Sequence, residues 1–353
     1  MKLTKGRFEP LVFIKWLILI VLMSAPSPRS ALAGDFPTLN ELMEKGELED
    51  MVSDEAPPSQ TPEAQPSEAP PTPAVASHAP VSLSPLQLSE KVVMIGRVPY
   101  VSTKGIMVLV KGLTAFLRKE LGVRAVRVVT AKDYAGVLKA LEHGTIDFAW
   151  LGPAAYVIGN DKTPLVPIAQ AKRRTGATYH GLFITRKDSR ILGIDDIKGK
   201  VIGFVDPESA SGYLYPLYFL KRFKINPHKD CKKVEFLQKH DAVLAAVLSR
   251  KIDVGVCLED TIESLKDQKI LDQILILGKT DEVPSDIVAC REDCPPTLRD
   301  KLKNALMKTG TLKQTASSST GLPPIMEFLP VNDDDLNNVK NVLKDIKDIR
   351  QQN

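Results

Sequence analysis

The sequence predicts an α/β protein of two lobes joined by two crossing segments, preceded by an export signal and an unstructured spacer. Three observations carry this. Strand-like runs alternate with helix-like periods in two separate series. A basic, then apolar stretch opens the chain, and a run rich in Pro, Ala, Ser, Glu and Gln divides it from the two series. A length of 353 residues accommodates about two packing units with further segments. Lys plus Arg number 47 and Asp plus Glu 43, a net charge of +4 that is too small and too dispersed for nucleic-acid binding.

Lys2, Lys5 and Arg7 form the basic start, and 16–25 is the apolar run, with Lys15 interrupting the longer stretch that begins at Leu11. Ala31-Leu32-Ala33 supplies the small residues that signal peptidase accepts. Residues 1–33 therefore read as a secretory signal cleaved after Ala33, which places the protein in the periplasm. The run is short for a span of about 20 residues. The other reading is an uncleaved anchor, the only membrane association expected of the chain itself. No Cys lies near the cleavage site, which argues against a lipid anchor. Residues 34–90 form the spacer. Its acidic start (34–55) carries Leu39, Leu42, Met43, Met51 and Val52, enough for at most a short amphipathic helix. From Ala56 to Pro85 the composition cannot bury enough apolar surface to offset ordering entropy, and its prolines favour an extended chain. A tether is useful only with one end fixed, so this segment gives some support to the anchor.

The folded module begins with strand 92–98, then a helix with Leu109, Leu113, Phe116, Leu117 and Leu121 on one face. Strand 125–129, a helix marked by Tyr134, Val137, Leu138 and Leu141, and strand 146–150 complete the first series. The second series runs through strand 201–205, a helix across 213–223, strand 234–237, a helix around 243–248 and strand 254–257. Alternation of this kind gives parallel sheets with helices on both faces. Gly181–Arg186 and 285–291 flank the second series and are placed to carry the chain across and back. The lobes are accordingly 91–184, 185–286 and a return over 287–353. A C-terminal helix with Leu336, Val339, Val342, Leu343, Ile346 and Ile349 on one stripe, capped by Asn332 or Asp333, closes the return. Two lobes on paired crossings make a hinged clamp, with ligand held in the cleft at the carboxyl ends of the strands. Cys231, Cys257, Cys290 and Cys294 allow a disulfide, Cys290 and Cys294 being close in sequence, or free buried thiols.

Asp206-Pro207-Glu208-Ser209-Ala210-Ser211-Gly212-Tyr213 follows a strand and opens a helix. Backbone N–H groups of a first turn lack helical partners and, with the helix dipole, attract anions. Ser209 and Ser211 add hydroxyls, and Gly212 allows a close approach to the backbone. The plain alternative is an N-cap, with either serine closing its own helix. Tyr100, Tyr156 after Gly152-Pro153, and His240 before Asp241 lie at other strand ends on the same cleft edge. Ordinary packing, a turn and a solvated ring are their plain alternatives. No G-x-S-x-G elbow, P-loop or acidic pair with metal-ligand spacing is present in the sequence. The expectation is a binding protein and not an enzyme, with no catalytic residue, metal or cofactor.

Gly96-Arg97-Val98-Pro99-Tyr100, Asp133-Tyr134, the stretch from Gly144 to Pro153, Ser209-Ala210-Ser211-Gly212-Tyr213, His240-Asp241-Ala242-Val243, Lys251-Ile252-Asp253-Val254-Gly255 and Leu329-Pro330-Val331 resemble, in order and spacing, the phosphate/phosphite/phosphonate-binding periplasmic proteins of ABC transporters. The resemblance covers roughly 92–350 and implies a type-II periplasmic binding fold serving an ABC permease, with a small phosphate-like oxyanion as cargo. It also implies ligand-binding roles for Tyr100, Tyr156, Ser209, Ser211, Gly212, Tyr213 and His240. Ala210 stands where the family usually has Thr, which removes a donor worth about 0.5–1.5 kcal/mol if it is used. Two further points stay open. An aminoalkylphosphonate needs a carboxylate for its ammonium, for which Glu259, Asp260 and Asp286 are placed, although each is equally read as a solvated or capping charge. A sensor subunit handing the closed state to a membrane signalling partner is the alternative to uptake.

Overall fold

Short runs of Val, Ile, Phe and Ala, too apolar to face water on either side, form the central strands of the two sheets of this protein. The computed structural model describes residues 83–101, 103–173, 176–311 and 327–350. The expected export signal, with its alternative anchor, and the spacer as far as residue 82 lie outside the described residues. No helix among the described residues is long and apolar enough to cross a membrane.

In the first lobe, β1 (Val92–Arg97), β2 (Ala125–Thr130) and β3 (Phe148–Leu151) run parallel, with β1 central to the three. They join β4 (Leu165–Lys172), β12 (Ile287–Arg291) and β13 (Glu327–Leu329) in the order β13-β4-β12-β3-β1-β2. Strand β12 runs antiparallel between β3 and β4. Helices α2 (Thr103–Leu121) and α10 (Pro296–Met307) cover one face, burying Ile106, Leu117, Leu298 and Leu302 against Ile95 and Phe148. Helices α3 (Tyr134–Glu142) and α4 (Pro153–Asn160) cover the other.

The second lobe has the order β10-β6-β9-β7-β8. Here β7 (Val201–Phe204), β8 (Lys233–Phe236) and β9 (Val254–Leu258) are parallel, while β6 (Gly181–Arg186) and the edge strand β10 (Ile274–Lys279) are antiparallel to their neighbours. Its helices are α5 (Tyr215–Arg222), α6 (Pro227–Asp230), α7 (His240–Leu248), α8 (Glu259–Glu263) and α9 (Gln268–Leu271).

Between the sheets, β5 (Thr178–Tyr179) and β11 (Val283–Pro284) pair antiparallel as a two-stranded ribbon. This pair is the crossing. Gly181–Arg186 and the strand at 287–291, expected to be the crossing segments, belong instead to the interiors of the two sheets. The second lobe thus begins before residue 185, because Gly181 already pairs with Leu258. Helix α11 (Asp333–Asp345) starts at Asn332, whose side chain accepts the Asp334 N–H at 3.0 Å. It packs on α4 of the first lobe, on β11 and on α5 of the second. The short α12 (Lys347–Arg350) follows, and Lys221 of α5 pairs with Asp348 there at 3.3 Å.

The spacer ends earlier than residue 90. Helix α1 (Pro85–Glu90) is closed by a reciprocal cap between Ser84 and Gln87, buries Leu88, and is tied to α10 by the Leu83 N–H donating to Thr297 at 2.9 Å. Leu83 and Leu88, isolated among polar and proline residues, are enough to dock this end of the segment. The four cysteines are free thiols.

Candidate functional site

The carboxyl ends of β1, β2, β7 and β8 face one another, so the turns that follow them meet between the lobes. At the end of β7 the chain makes a π-helical turn (Ala210–Leu214) before entering α5. Ser209 is its N-cap: its hydroxyl accepts the Gly212 N–H at 3.1 Å, and its carbonyl accepts from Tyr213 and Leu214. The N–H groups of Ala210 and Ser211 are the ones the turn itself does not use. Gly212 has a structural reason different from the expected one. A Cβ there would lie 2.6 Å from Val205 Cβ and 2.8 Å from Ser209 Oγ, so glycine lets the turn fold onto the strand end.

Two tyrosines of the opposite side meet the two serines. Tyr134, in the first turn of α3, has its hydroxyl beside Ser209, and Tyr179, on the crossing strand β5, has its hydroxyl beside Ser211. Both rings are buried, and burial first of all pushes both hydroxyls up from their usual pKa, so they stay protonated donors. Asp206 closes the same corner. Its carboxylate accepts the Glu208 N–H at 2.8 Å and lies 3.5 Å from the Tyr134 N–H, and burial raises its pKa.

His240 arrives from the start of α7, and its N–H donates across the cleft to the Tyr100 carbonyl at 3.0 Å. Its Nδ1 accepts the Leu258 N–H at 2.8 Å, which leaves the ring proton on Nε2. Burial, and then the charge of Arg173, push its pKa down to about 3, with Asp286 pulling the other way. The ring is a neutral donor at physiological pH.

Behind these donors lies a buried ionic cluster. Arg97, at the end of β1, donates to Asp286 at 3.1 Å and lies over the rings of Trp150 and Tyr100, 3.8 and 4.5 Å from their centroids. Arg173, just after β4, donates to Asp260 of α8 at 2.6 Å and to Asp286 at 3.5 Å, with its guanidinium 4.4 Å from the centre of Tyr179. Burial works against the charge on Arg173, but Asp286 and Asp260 outweigh it and hold the group ionised. Arg97 Nη1, Arg173 Nε and Asp260 Oδ1 are buried with no hydrogen-bond partner among the described residues.

Of the expected site residues, Ser209, Ser211, Gly212, Tyr100 and His240 come together. Tyr156 and Tyr213 do not. Tyr156 packs within the first lobe, its hydroxyl donating to the Leu165 carbonyl at 3.5 Å. Tyr213 points into the second lobe, sharing a 2.8 Å hydrogen bond with His228 and contacting Phe204 and Phe236 edge-on. One residue beyond the glycine, the turn has rotated its side chain toward the core. Tyr134, Tyr179, Arg97 and Arg173 are the residues that sequence reasoning missed. For Tyr134 a signal existed: it follows the helix cap Asp133 at a strand-to-helix turn on the cleft edge.

The state of His240 has a measurable consequence. In the unfolded chain an imidazole titrates near about 6.5, while in the folded chain it resists protonation down to about 3. Between those values the unfolded state binds more protons, so this contribution is complete above about pH 6.5 and is lost as pH falls. His240→Gln removes it. In urea titrations the wild type should lose about 2 kcal/mol more between pH 7 and pH 5 than the variant does. Equal losses would show that the ring is already charged when folded.

Residues 95–336 match the family described as "ABC transporter, phosphonate, periplasmic substrate-binding protein". The chain is 27% identical over 236 residues to the phosphate-import protein PhnD of Mycolicibacterium smegmatis, covering 63% of this chain and 73% of that one. It is 27% identical over 232 residues to the phosphonates-binding periplasmic protein of Escherichia coli, covering 63% and 67%. In structure it is similar to a binding protein component of an ABC phosphonate transporter from Pseudomonas aeruginosa, with a TM-score of 0.67 over 75% of this chain and 90% of that one. At 23% identity that likeness is one of fold.

Proposed function

The chain belongs to the periplasmic substrate-binding proteins of phosphonate ABC transporters, and we propose that it binds a phosphonate, phosphite or phosphate ion between its lobes and delivers it to a permease. The observation that supports this most is that the turns after β1, β2, β7 and β8 meet, with the His240 N–H on the Tyr100 carbonyl at 3.0 Å and the Tyr134 N–H 3.5 Å from Asp206. This puts the Tyr134 and Tyr179 hydroxyls beside Ser209 and Ser211. An oxyanion binds first to the turn at Ser209–Gly212. Closure about the β5–β11 ribbon then brings up Tyr134 beside Tyr179, which the ribbon itself carries, with the Nε2–H of His240 at the same edge. Water is excluded, and charge-assisted hydrogen bonds strengthen as it leaves. The His240–Tyr100 and Arg173–Asp260 contacts hold the closed form that a permease recognises, so cargo acts by shifting the population toward it.

Export to the periplasm fits this role, with residues 1–33 removed after Ala33 or kept as an anchor. Phosphorus oxyanions at the site need no resident metal or cofactor. The experiment is calorimetry on ligand-free protein with phosphate, phosphite, methylphosphonate and 2-aminoethylphosphonate. Micromolar or tighter binding of one of them supports the reading, and no heat from any of them removes it. Ser211→Ala should weaken the bound ion by about 10- to 100-fold, the worth of one hydrogen bond to a charged group, with little change in the unfolding midpoint. Unchanged affinity would take Ser211 out of the site.

A further inference from the structure

An ammonium group on a ligand needs a carboxylate with room to receive it. Among the described residues the acids beside the buried arginines are Asp260, Asp286 and Glu259, and each already has a donor. Asp206 and Glu208 lie at the other corner, by Tyr134, where Glu208 Oε2 has no hydrogen-bond partner but its carboxylate lies near the Lys162 and Arg350 charges. Asp260 holds Arg173 at 2.6 Å, and Asp286 holds Arg97 at 3.1 Å and Arg173 at 3.5 Å. Glu259 accepts the His180 N–H at 2.9 Å and pairs with Lys279 at 3.2 Å. Asp206 accepts the Glu208 N–H and sits beside Ser209, on the side of the oxyanion donors.

Asp260 and Asp286 are the two of these that share a single partner. Asp286 is 6% exposed and Asp260 2%, while Arg97 is 1% and Arg173 8% exposed, so this network has no water to trade with. Two guanidiniums against two carboxylates is a balanced set. An incoming ammonium would be a third cation among two acids, able to reach Asp260 Oδ1 only beside the guanidinium already bound to Oδ2. The unpartnered donors of the network, Arg97 Nη1 and Arg173 Nε, suit an anion and not a further cation.

We propose that Arg173 occupies the place a cationic ligand substituent would need, so that the site takes small phosphorus oxyanions without an ammonium group and rejects aminoalkylphosphonates. Arg173 is then a specificity-determining residue supplied by the first lobe, and Asp260 is its counterpart on the second. This rests on the receptor reading above and narrows its cargo.

The test is the affinity of the wild-type full chain for 2-aminoethylphosphonate against the tightest of phosphate, phosphite and methylphosphonate. A ratio of tenfold or more against the aminophosphonate is expected. A smaller ratio, or a preference for it, overturns the inference while leaving the receptor reading intact. Binding of none of the four removes the receptor reading, and the inference with it. Arg173→Met should then narrow the ratio at least tenfold by releasing Asp260, Asp286 keeping Arg97, and adding Asp260→Asn should restore it. An unchanged ratio in folded Arg173→Met takes the role away from Arg173. If that variant does not fold, the wild-type panel still decides.

Discussion

Asp286→Ala lowers the unfolding free energy by about 3–5 kcal/mol, among the largest single-residue losses expected in this chain. Among the described residues the carboxylate is the one that binds both buried guanidiniums, at 3.1 Å from Arg97 and 3.5 Å from Arg173. Without it Arg173 keeps Asp260, but Arg97 keeps only the faces of Trp150 and Tyr100. A ring face offsets part of a cation's desolvation, about 2 kcal/mol when water is excluded. That is less than several kcal/mol for an unpaired buried ion. Urea denaturation monitored by circular dichroism measures the loss. A change under 1 kcal/mol would mean that water reaches Arg97 in the folded protein.

Gly181→Ala should cost binding more than stability. Gly181 opens β6 directly after the crossing, with its N–H on the Thr280 hydroxyl at 2.9 Å. An added Cβ would run into the Ser211 carbonyl oxygen, with the Ser211 carbonyl carbon and Thr280 Cγ2 both at 3.2 Å. Backbone cannot swing aside as a side chain does, so the turn carrying Ser211 must move. Overpacking of this kind costs about 1–3 kcal/mol in stability. Displacing a binding turn by a fraction of an ångström should cost affinity about 100-fold or more for whichever ion the wild type binds. Gly152→Ala is the control: nothing lies within 4 Å of the Cβ it would add, so it should stay within about 1 kcal/mol of wild type. Wild-type affinity in Gly181→Ala would show that the turn tolerates the shift.

The two βα series were legible because their signals are local. Val, Ile and Phe runs of strand length, followed by apolar residues at helical spacing, mark β1, α2, β7 and β9 wherever they end up in space. Strand β4 was less so, since it holds Pro167 and is bulged there, Ile168 being skipped where Val288 and Ala289 of β12 pair with Ala169 and Pro167. Strand β10, at a sheet edge with its own bulge, shows no clean alternation. For the site, Ser209, Ser211, Gly212 and His240 could be found because a serine-rich turn or a histidine at a strand end marks the cleft edge of any such sheet. The same reasoning put Tyr156 and Tyr213 there, because position in a turn does not say which way a ring points.

By itself, then, the chain determined two α/β lobes and a serine-glycine turn at residues 209–212 on the edge between them, each following from residues near one another in sequence. The tertiary structure alone decided that Tyr134 and Tyr179 complete the turn. It also decided that Arg97 and Arg173 are buried charges and not surface ones. Arg97 meets Asp286 across 189 positions, and Arg173 meets Asp260 across 87. An arginine looks the same in sequence whether its carboxylate partner awaits it or not. What makes burial affordable is that partner: for Arg97 the assembly of the first sheet brings it within reach, and for Arg173 the meeting of the two lobes brings Asp260.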